Sequence, residues 1–117
     1  MPSLYQNIPQ YPPTYNQEAS MWHCEILQIL RIGPYSIYFW SNEGDPLEPI
    51  HVHVSEGRAS ATATKIWITS TGKTILSNNN SKIPEKILKR LMRMIEANSS
   101  DIIDEWLNRF GEIRYFC

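Results

Sequence analysis

The sequence has little cysteine and no long apolar run. It contains two cysteines among 117 residues, Cys24 and Cys117, and they form no Cys-x-x-Cys motif. We interpret them as free thiols in a reducing compartment. No apolar stretch approaches the roughly 18 to 20 residues that cross a membrane, and the N-terminus lacks the basic start and apolar core of a secretory signal. We therefore expect a cytoplasmic protein that does not engage a membrane.

An excess of charge of either sign is also missing. The sequence has 11 Lys and Arg residues and 12 Asp and Glu residues, which gives a net charge of −1. Total charge therefore does not indicate a nucleic acid or an acidic partner. With 42% apolar residues, the composition is typical of a globular protein, and the length suits one domain with a modest core.

The first 20 residues differ in composition from the rest. They are rich in Pro, Tyr, Gln, Asn and Ser, and Pro2, Pro9, Pro12 and Pro13 interrupt any helical or strand period. Such a segment buries too little apolar surface to offset the entropy that is lost on ordering. The sequence predicts a disordered tail over residues 1–20 and a single domain over residues 22–117.

From Trp22 onward, apolar and β-branched residues alternate in the manner of β-strands. Gly33 and Pro34 supply a turn, and residues 41–49 contain three further glycine or proline breakers. The pattern predicts extended segments at residues 25–31, 35–40, 50–55, 59–64 and 65–69, and a loop at residues 77–81.

Two helices are predicted in the C-terminal part. The first has Pro84 in its opening turn and ends at Asn98, which suits a left-handed residue. The second is capped by Ser99 or Ser100 and ends at Gly111. Strands followed by helices predict an α+β fold, with a small antiparallel sheet of about four to five strands and both helices packed on one face. The apolar residues at helical spacing are Ile83, Ile87, Leu88, Leu91, Met94 and Ile95 in the first helix and Ile102, Ile103, Trp106, Leu107 and Phe110 in the second.

Several short motifs follow one another over most of the chain. They are Leu30 to Tyr35, Ser41 to Gly44, the Pro-x-His-x-His-Val motif from Pro49 to Val54, Lys65 to Trp67, and a last helix with Trp106 followed by Phe110 and Gly111. In this order they resemble the bacterial family catalogued as domain of unknown function 4160, over roughly residues 27–111. The chain departs from the family's pattern in its long tail and in the threonine- and asparagine-rich residues 69–80.

The resemblance implies little about activity, because the family has none established. Its members look like the products of short genes that often lie beside a second small gene. This gene arrangement is similar to that of toxin–antitoxin pairs. This association indicates a partner rather than a chemistry.

The sharpest feature of the sequence is the pair His51 and His53. Residues i and i+2 of a strand point to the same face, so both imidazoles can approach one divalent metal such as zinc. Zinc needs at least one further protein ligand, and the preceding loop offers the carboxylates of Glu43, Asp45 and Glu48. Together these residues form a candidate metal site.

The same pair suits two other roles. Because unperturbed histidine has a pKa of about 6.5, the pair could act as acid and base in phosphodiester cleavage without a metal. Arg58 or Lys65 would then stabilise the charge of an oxyanion or phosphate. Alternatively, the pair hydrogen-bonds the loop of residues 43–48 and holds it on the sheet, since a histidine is more often structural than functional.

The first C-terminal helix carries a basic face. Between residues 81 and 98, five cations outnumber two carboxylates. Such a face can contact phosphates, although an amphipathic helix of a small domain usually presents its charged face to water. The candidate nucleic-acid contacts are Lys82, Lys86, Lys89, Arg90 and Arg93.

Two functions follow from these features. The first, which the resemblance and the basic helix favour, is a non-catalytic interaction partner in a two-gene, toxin–antitoxin-like module. Its partner is the product of a neighbouring small gene or a nucleic acid, and no cofactor is expected. The second is a ribonuclease-like or metal-dependent hydrolase that uses His51 and His53, with a divalent metal such as zinc. An uncovered aromatic sheet face would also indicate a homodimer.

Overall fold

The computed structural model describes residues 26–43 and 47–117, which form one sheet followed by two helices. The five strands are antiparallel and stand in sequence order, so each pairs with the next along the chain. This confirms the predicted α+β fold. Residues 1–20, Cys24 and Asp45 lie outside the described residues. The elements are β1 (Ile26–Ile32), β2 (Tyr35–Trp40), β3 (His51–Glu56), β4 (Thr64–Ile68), β5 (Thr74–Asn78), α1 (Glu85–Ala97) and α2 (Ser99–Phe110).

The first three strands lie within one residue of their predicted positions. β2 has the predicted bounds, while β1 and β3 each begin and end one residue later. Gly33 has a φ of +58°, which glycine adopts without a steric penalty, so the chain reverses directly between β1 and β2. The alternating apolar pattern and the turn residues were sufficient to place this part of the sheet.

Residues 59–63, which were predicted to be extended, instead belong to a loop. The N–H of Ser60 donates to the hydroxyl oxygen of Tyr38 (2.9 Å), and that hydroxyl donates to the Ser60 carbonyl oxygen (3.0 Å). Both backbone groups of Ser60 are therefore bound to a side chain instead of a strand ladder. β4 begins only at Thr64.

The predicted loop at residues 77–81 is wrong at its start, because β5 extends to Asn78. β5 is an edge strand of polar and partly exposed residues, so it lacks a clear alternation. Its first residue is held by Glu96 of α1, whose carboxylate accepts hydrogen bonds from the Thr74 N–H (3.0 Å) and hydroxyl (2.8 Å). A contact with a distant helix thus stabilises a strand that sequence periodicity does not reveal.

The helices occupy their predicted positions, but their junction differs from the prediction. Asn98 has a φ of −107° and is not left-handed, and α2 has no side-chain cap from Ser99 or Ser100. Instead, the side-chain amide of Asn98 donates to the carbonyl oxygen of Met94 (2.8 Å), so the end of α1 is satisfied without a left-handed residue. Gly111, with a φ of +80°, ends α2 as predicted.

The core lies between the helices and one face of the sheet. Trp106 is the largest fully buried side chain, and its ring centroid is 5.2 Å from that of Phe39. Ile87, Met94 and Leu107, although at helical spacing, are 36–39% exposed, so the buried stripe is narrower than predicted. The main core residues are Ile37, Phe39, Ile50, Val52, Val54, Ile66, Ile68, Leu88, Leu91, Ile95, Ile102 and Trp106.

The opposite face of the sheet carries polar and aromatic side chains, and we call it the polar face. Tyr38 of β2 is paired with Gln28 on one side and with His53 on the other. Lys65 of β4 continues the same row beyond His53. The side chains of this face are Gln28, Arg31, Ser36, Tyr38, His51, His53, Ser55, Lys65 and Trp67.

The C-terminal segment lies against one end of the polar face. The N–H of Ile50 donates to the carbonyl oxygen of Arg114 (2.8 Å). The ring of Phe116 stacks on Trp67 with a centroid distance of 5.0 Å. Neither helix in the described part of the chain is long and apolar enough to cross a membrane.

Candidate functional site

His51 and His53 lie on the polar face because their neighbours on β3 belong to the core. Val52 and Val54 are fully buried, and the strand period of two turns both histidines the other way. His51 has no exposed surface and His53 is 8% exposed. Their ring centroids are 5.0 Å apart. The prediction that the two imidazoles share one face is confirmed.

The turn after β2 brings Glu43 to the histidine pair. The N–H of Glu43 donates to the Trp40 carbonyl oxygen (3.3 Å), and the N–H of Trp40 donates to Oε1 of Glu43 (2.8 Å). These bonds fix the side chain so that its other oxygen faces β3. Oε2 lies 2.5 Å from Nε2 of His51 and 2.8 Å from Nε2 of His53. One carboxylate oxygen therefore meets two imidazole nitrogens, and we call this group the Glu43–His51–His53 cluster.

The Glu43 carboxylate is ionised at neutral pH although its side chain is only 10% exposed. Burial raises the pKa of this carboxyl group. Hydrogen bonds from His51 and His53, together with their charge, outweigh the burial and lower the pKa from 4.5 to about 2. The cluster therefore has a negative charge at its centre.

The hydrogen positions in the cluster follow from the available partners. The Pro49 carbonyl oxygen can only accept, so Nδ1 of His51, 2.9 Å away, carries a hydrogen and donates it. In a neutral His51, Nε2 then has only a lone pair, and it faces an ionised carboxylate oxygen at 2.5 Å. Two lone pairs repel at that distance, so the contact is favourable when a proton or a metal ion lies between the two atoms.

The donor atoms of the cluster fit a divalent metal such as zinc. Within the described residues, this is the one group whose ligand atoms lie close enough to hold a metal ion, all within 4.8 Å of one another. Two histidines and one carboxylate form a ligand set of catalytic zinc sites. The outer contacts also fit, because Pro49 orients the His51 ring and the Trp40 N–H orients the carboxylate.

The distances within the cluster are those of hydrogen bonds. Zinc bonds of about 2.0 to 2.2 Å in a tetrahedral arrangement place two ligand atoms about 3.3 Å apart. The nitrogen–oxygen distances of 2.5 and 2.8 Å are shorter, so metal uptake has to widen them by about 0.5 to 0.8 Å. The same contacts also match the structural alternative at Glu43, the described residue of the preceding loop that the pair holds on the sheet.

Two other candidate residues from the sequence pair with each other instead of joining the cluster. Oε1 of Glu48 accepts a hydrogen bond from Nζ of Lys65 (3.0 Å). The same ammonium lies 4.4 Å from the ring centroid of Trp67. The positive charge of Lys65 is therefore paired with the carboxylate of Glu48. Asp45, the third predicted carboxylate, lies outside the described residues.

Arg58 is exposed and lies in the loop between β3 and β4. Tyr38 stacks on His53 with a centroid distance of 5.7 Å. Tyr38 and Arg58 both line a cleft on the polar face. No ion pair joins the arginine predicted to stabilise charge to the cluster within the described residues.

Sequence reasoning missed several neighbours of the cluster. Trp106, predicted to be a core residue, lies beside His51 with a centroid distance of 5.5 Å. Its Nε1 and the Nδ1 of His53 are buried without a hydrogen-bond partner among the described residues. Trp40 and Pro49 act through backbone groups, so only their position next to the candidate ligands could have indicated a role.

The predicted basic face lies on the helical side of the molecule, away from the polar face, and all five of its cationic residues are exposed. Only four of them belong to α1, because Lys82 precedes the helix and has a φ of +57°. Lys89 pairs with Glu85 at 3.2 Å, but these side chains are 66% and 80% exposed, so the pair contributes little stability. The other four form no ion pair with any described residue. The five are Lys82, Lys86, Lys89, Arg90 and Arg93.

Comparison with known proteins gives one match. A family model described as Domain of unknown function (DUF4160) matches residues 35–107, more than half of the chain. The matched segment includes the whole Glu43–His51–His53 cluster and α1. No curated protein and no solved structure is detectably similar to the chain. The match confirms the resemblance that the motifs indicated.

Proposed function

Since the chain belongs to the DUF4160 family, whose description names no activity, we propose a function from the geometry of its site. The protein binds one divalent metal ion, with a preference for zinc, and uses it for hydrolysis. The ligands are Nε2 of His51, Nε2 of His53 and Oε2 of Glu43. The observation that carries this proposal is the convergence of these three atoms within 4.8 Å.

A metal ion satisfies both histidines at once. His51 already directs the hydrogen of Nδ1 to Pro49, which leaves Nε2 as a ligand atom. His53 has no partner at Nδ1 among the described residues and can carry its hydrogen there, which leaves its own Nε2 available. Without a metal, the Nε2 hydrogens of both rings have to point at one oxygen of Glu43.

Hydrolysis is the chemistry that this ligand set supports. A zinc ion held by His51, His53 and Glu43 would supply an activated water for hydrolysis. Acid–base catalysis by the histidines alone has less support. His51 has no exposed surface, and Nε2 of each ring is engaged with Glu43.

Metal content tests the proposal. Untagged protein is stripped with a chelator, dialysed against zinc and measured by elemental mass spectrometry. We expect about one equivalent of zinc in the wild type and almost none in His53→Ala. His23→Ala, which removes the third histidine of the sequence, should keep the full equivalent. Hydrolysis of an activated phosphodiester should follow the zinc content.

Two results would contradict the proposal. If the wild type takes up no zinc at a saturating concentration, the cluster holds protons and serves the fold. If His53→Ala retains the zinc, the ion is bound by other residues.

A second candidate function is that of a non-catalytic partner for a nucleic acid or for the product of a neighbouring small gene. It is favoured by the four cations of α1 and by Lys82 just before it, since four of these five form no ion pair with a described residue. Their charge is therefore available to a phosphate backbone or an acidic protein surface. This binding needs neither histidine, so it should survive the loss of His51 and His53.

A further inference from the structure

The polar face contains a cleft of about 570 Å³ that Tyr38 helps to line. Its charged residues are Arg31 and Arg58, and no carboxylate lines it among the described residues. Neither arginine forms an ion pair within the described part of the chain. The volume is in the range of small-molecule sites. Both arginines are exposed and line one cleft without a carboxylate beside them, which favours an anionic ligand.

A β-bulge in β1 places Arg31 in the cleft. Residues three apart in a regular strand point to opposite faces of the sheet, so the side chains of Gln28 and Arg31 would not normally lie on the same face. The pairing with β2 skips Ile29, and as a result Gln28 lies opposite Tyr38 while Arg31 lies opposite Ser36. Both side chains therefore line the cleft. Bulges commonly redirect side chains in this way next to functional sites.

Side chains of the polar face hold the loop that carries Arg58. Oγ of Ser55 donates to the carbonyl oxygen of Arg58 (2.7 Å), and Oγ of Ser36 donates to the carbonyl oxygen of the preceding residue (3.1 Å). The two hydrogen bonds between Tyr38 and Ser60 fix the loop further along. The loop that carries Arg58 is thus held on the sheet by side-chain hydrogen bonds.

We infer that this cleft binds the phosphate group of a phosphate ester through the guanidinium groups of Arg31 and Arg58. Planar guanidinium groups donate pairs of hydrogen bonds that match phosphate oxygens. The cleft has room for a nucleotide, and Gln28 supplies an amide for the rest of the ligand. This inference names the substrate class of the proposed hydrolase and rests on that proposal for its catalytic use, whereas phosphate binding itself requires no metal.

The test uses full-length protein in the presence of EDTA. The probes are inorganic phosphate and adenosine monophosphate, measured by calorimetry, and a short fluorescein-labelled single-stranded oligonucleotide, measured by anisotropy. Arg31→Gln with Arg58→Gln should weaken adenosine monophosphate binding by at least about tenfold. Lys73→Gln with Arg109→Gln removes the same charge from exposed positions outside the cleft and should change it by less than about twofold.

The three probes also distinguish the sources of the phosphate. Similar affinity for phosphate and adenosine monophosphate would support a site for the phosphate group alone. Tighter binding of the oligonucleotide would support a nucleic acid in the cleft if Arg31→Gln with Arg58→Gln weakens it, and would belong to another surface such as α1 if that variant leaves it unchanged. Equal losses in the two double variants would overturn the inference, because total charge would then govern binding. Unchanged affinity in the arginine variant, or no binding of any probe by the wild type, would overturn it as well. Since zinc is absent throughout, failure here is distinguishable from failure of the metal site.

Discussion

Glu43→Gln keeps the shape of a buried side chain but removes its charge. In the folded chain the pKa of Glu43 is about 2, compared with an ordinary value of 4.5. This difference of about 2.5 pH units corresponds to about 3 kcal/mol. The side chain is only 10% exposed, so solvent screening removes little of this energy. At neutral pH we expect the metal-free variant to be less stable by about 3 kcal/mol and to melt about 12 to 24 °C lower.

The loss of stability should depend on pH in a defined way. Because the pKa of Glu43 is lower in the folded chain than in the unfolded chain, its contribution is fully present above about pH 4.5 and is lost as the pH falls towards about 2. At the acid end the protonated carboxyl group of the wild type resembles glutamine, so the two proteins should become equally stable.

Urea unfolding of both proteins in a chelator, repeated between about pH 7 and about pH 2.5, measures this difference. The free energy of unfolding should differ most near neutrality and least at the lowest pH. A difference that stays constant over the whole range would refute the reasoning, because the shape of the side chain and not its charge would then account for the loss.

Three further predictions concern the core, the turns and α1. Trp106→Ala should lower the free energy of unfolding by about 3 to 5 kcal/mol, since a fully buried indole is removed, and a loss below about 1 kcal/mol would contradict its placement. Gly72→Ala should destabilise the fold more than Gly57→Ala in thermal unfolding. Both positions have a positive φ, but only at Gly72 would the added Cβ lie 2.8 Å from the hydroxyl oxygen of the first residue of α2, which has to rotate away. The extra loss at Gly72 should therefore be below about 1 kcal/mol, and a smaller loss at Gly72 than at Gly57 would argue against that contact. Lys86→Glu with Arg90→Glu should weaken binding of a single-stranded oligonucleotide at low salt by roughly tenfold in fluorescence anisotropy, and unchanged affinity would remove α1 from the interface.

The sequence predicted the parts of the sheet in which local pattern decides the structure. The first and last residues of β2 were predicted correctly because its apolar positions alternate and a glycine turn precedes it. The errors occur where the local structure depends on a contact between two residues that lie 22 positions apart in the sequence. Ser60 is drawn out of an extended conformation by Tyr38, and Thr74 is held in β5 by Glu96. No local window contains both partners of such a contact.

The candidate site was predictable to a similar extent. A period of two placed His51 and His53 on one face, but it could not choose among the three carboxylates of the preceding loop. The choice depends on the turn in which the Trp40 N–H holds Glu43. Arg31 was missed because its position in the cleft depends on a bulge, which breaks the period from which strand faces are predicted.

The X-ray absorption spectrum of the zinc-loaded protein at the zinc edge tests the central claim most directly. We predict a first shell of nitrogen and oxygen atoms at about 2.0 to 2.2 Å, with the outer-shell scattering of two imidazole rings and no sulfur. A sulfur atom at about 2.3 Å, or the scattering of fewer than two imidazoles, would place the metal on other residues. That result would contradict the assignment of the Glu43–His51–His53 cluster as the metal site.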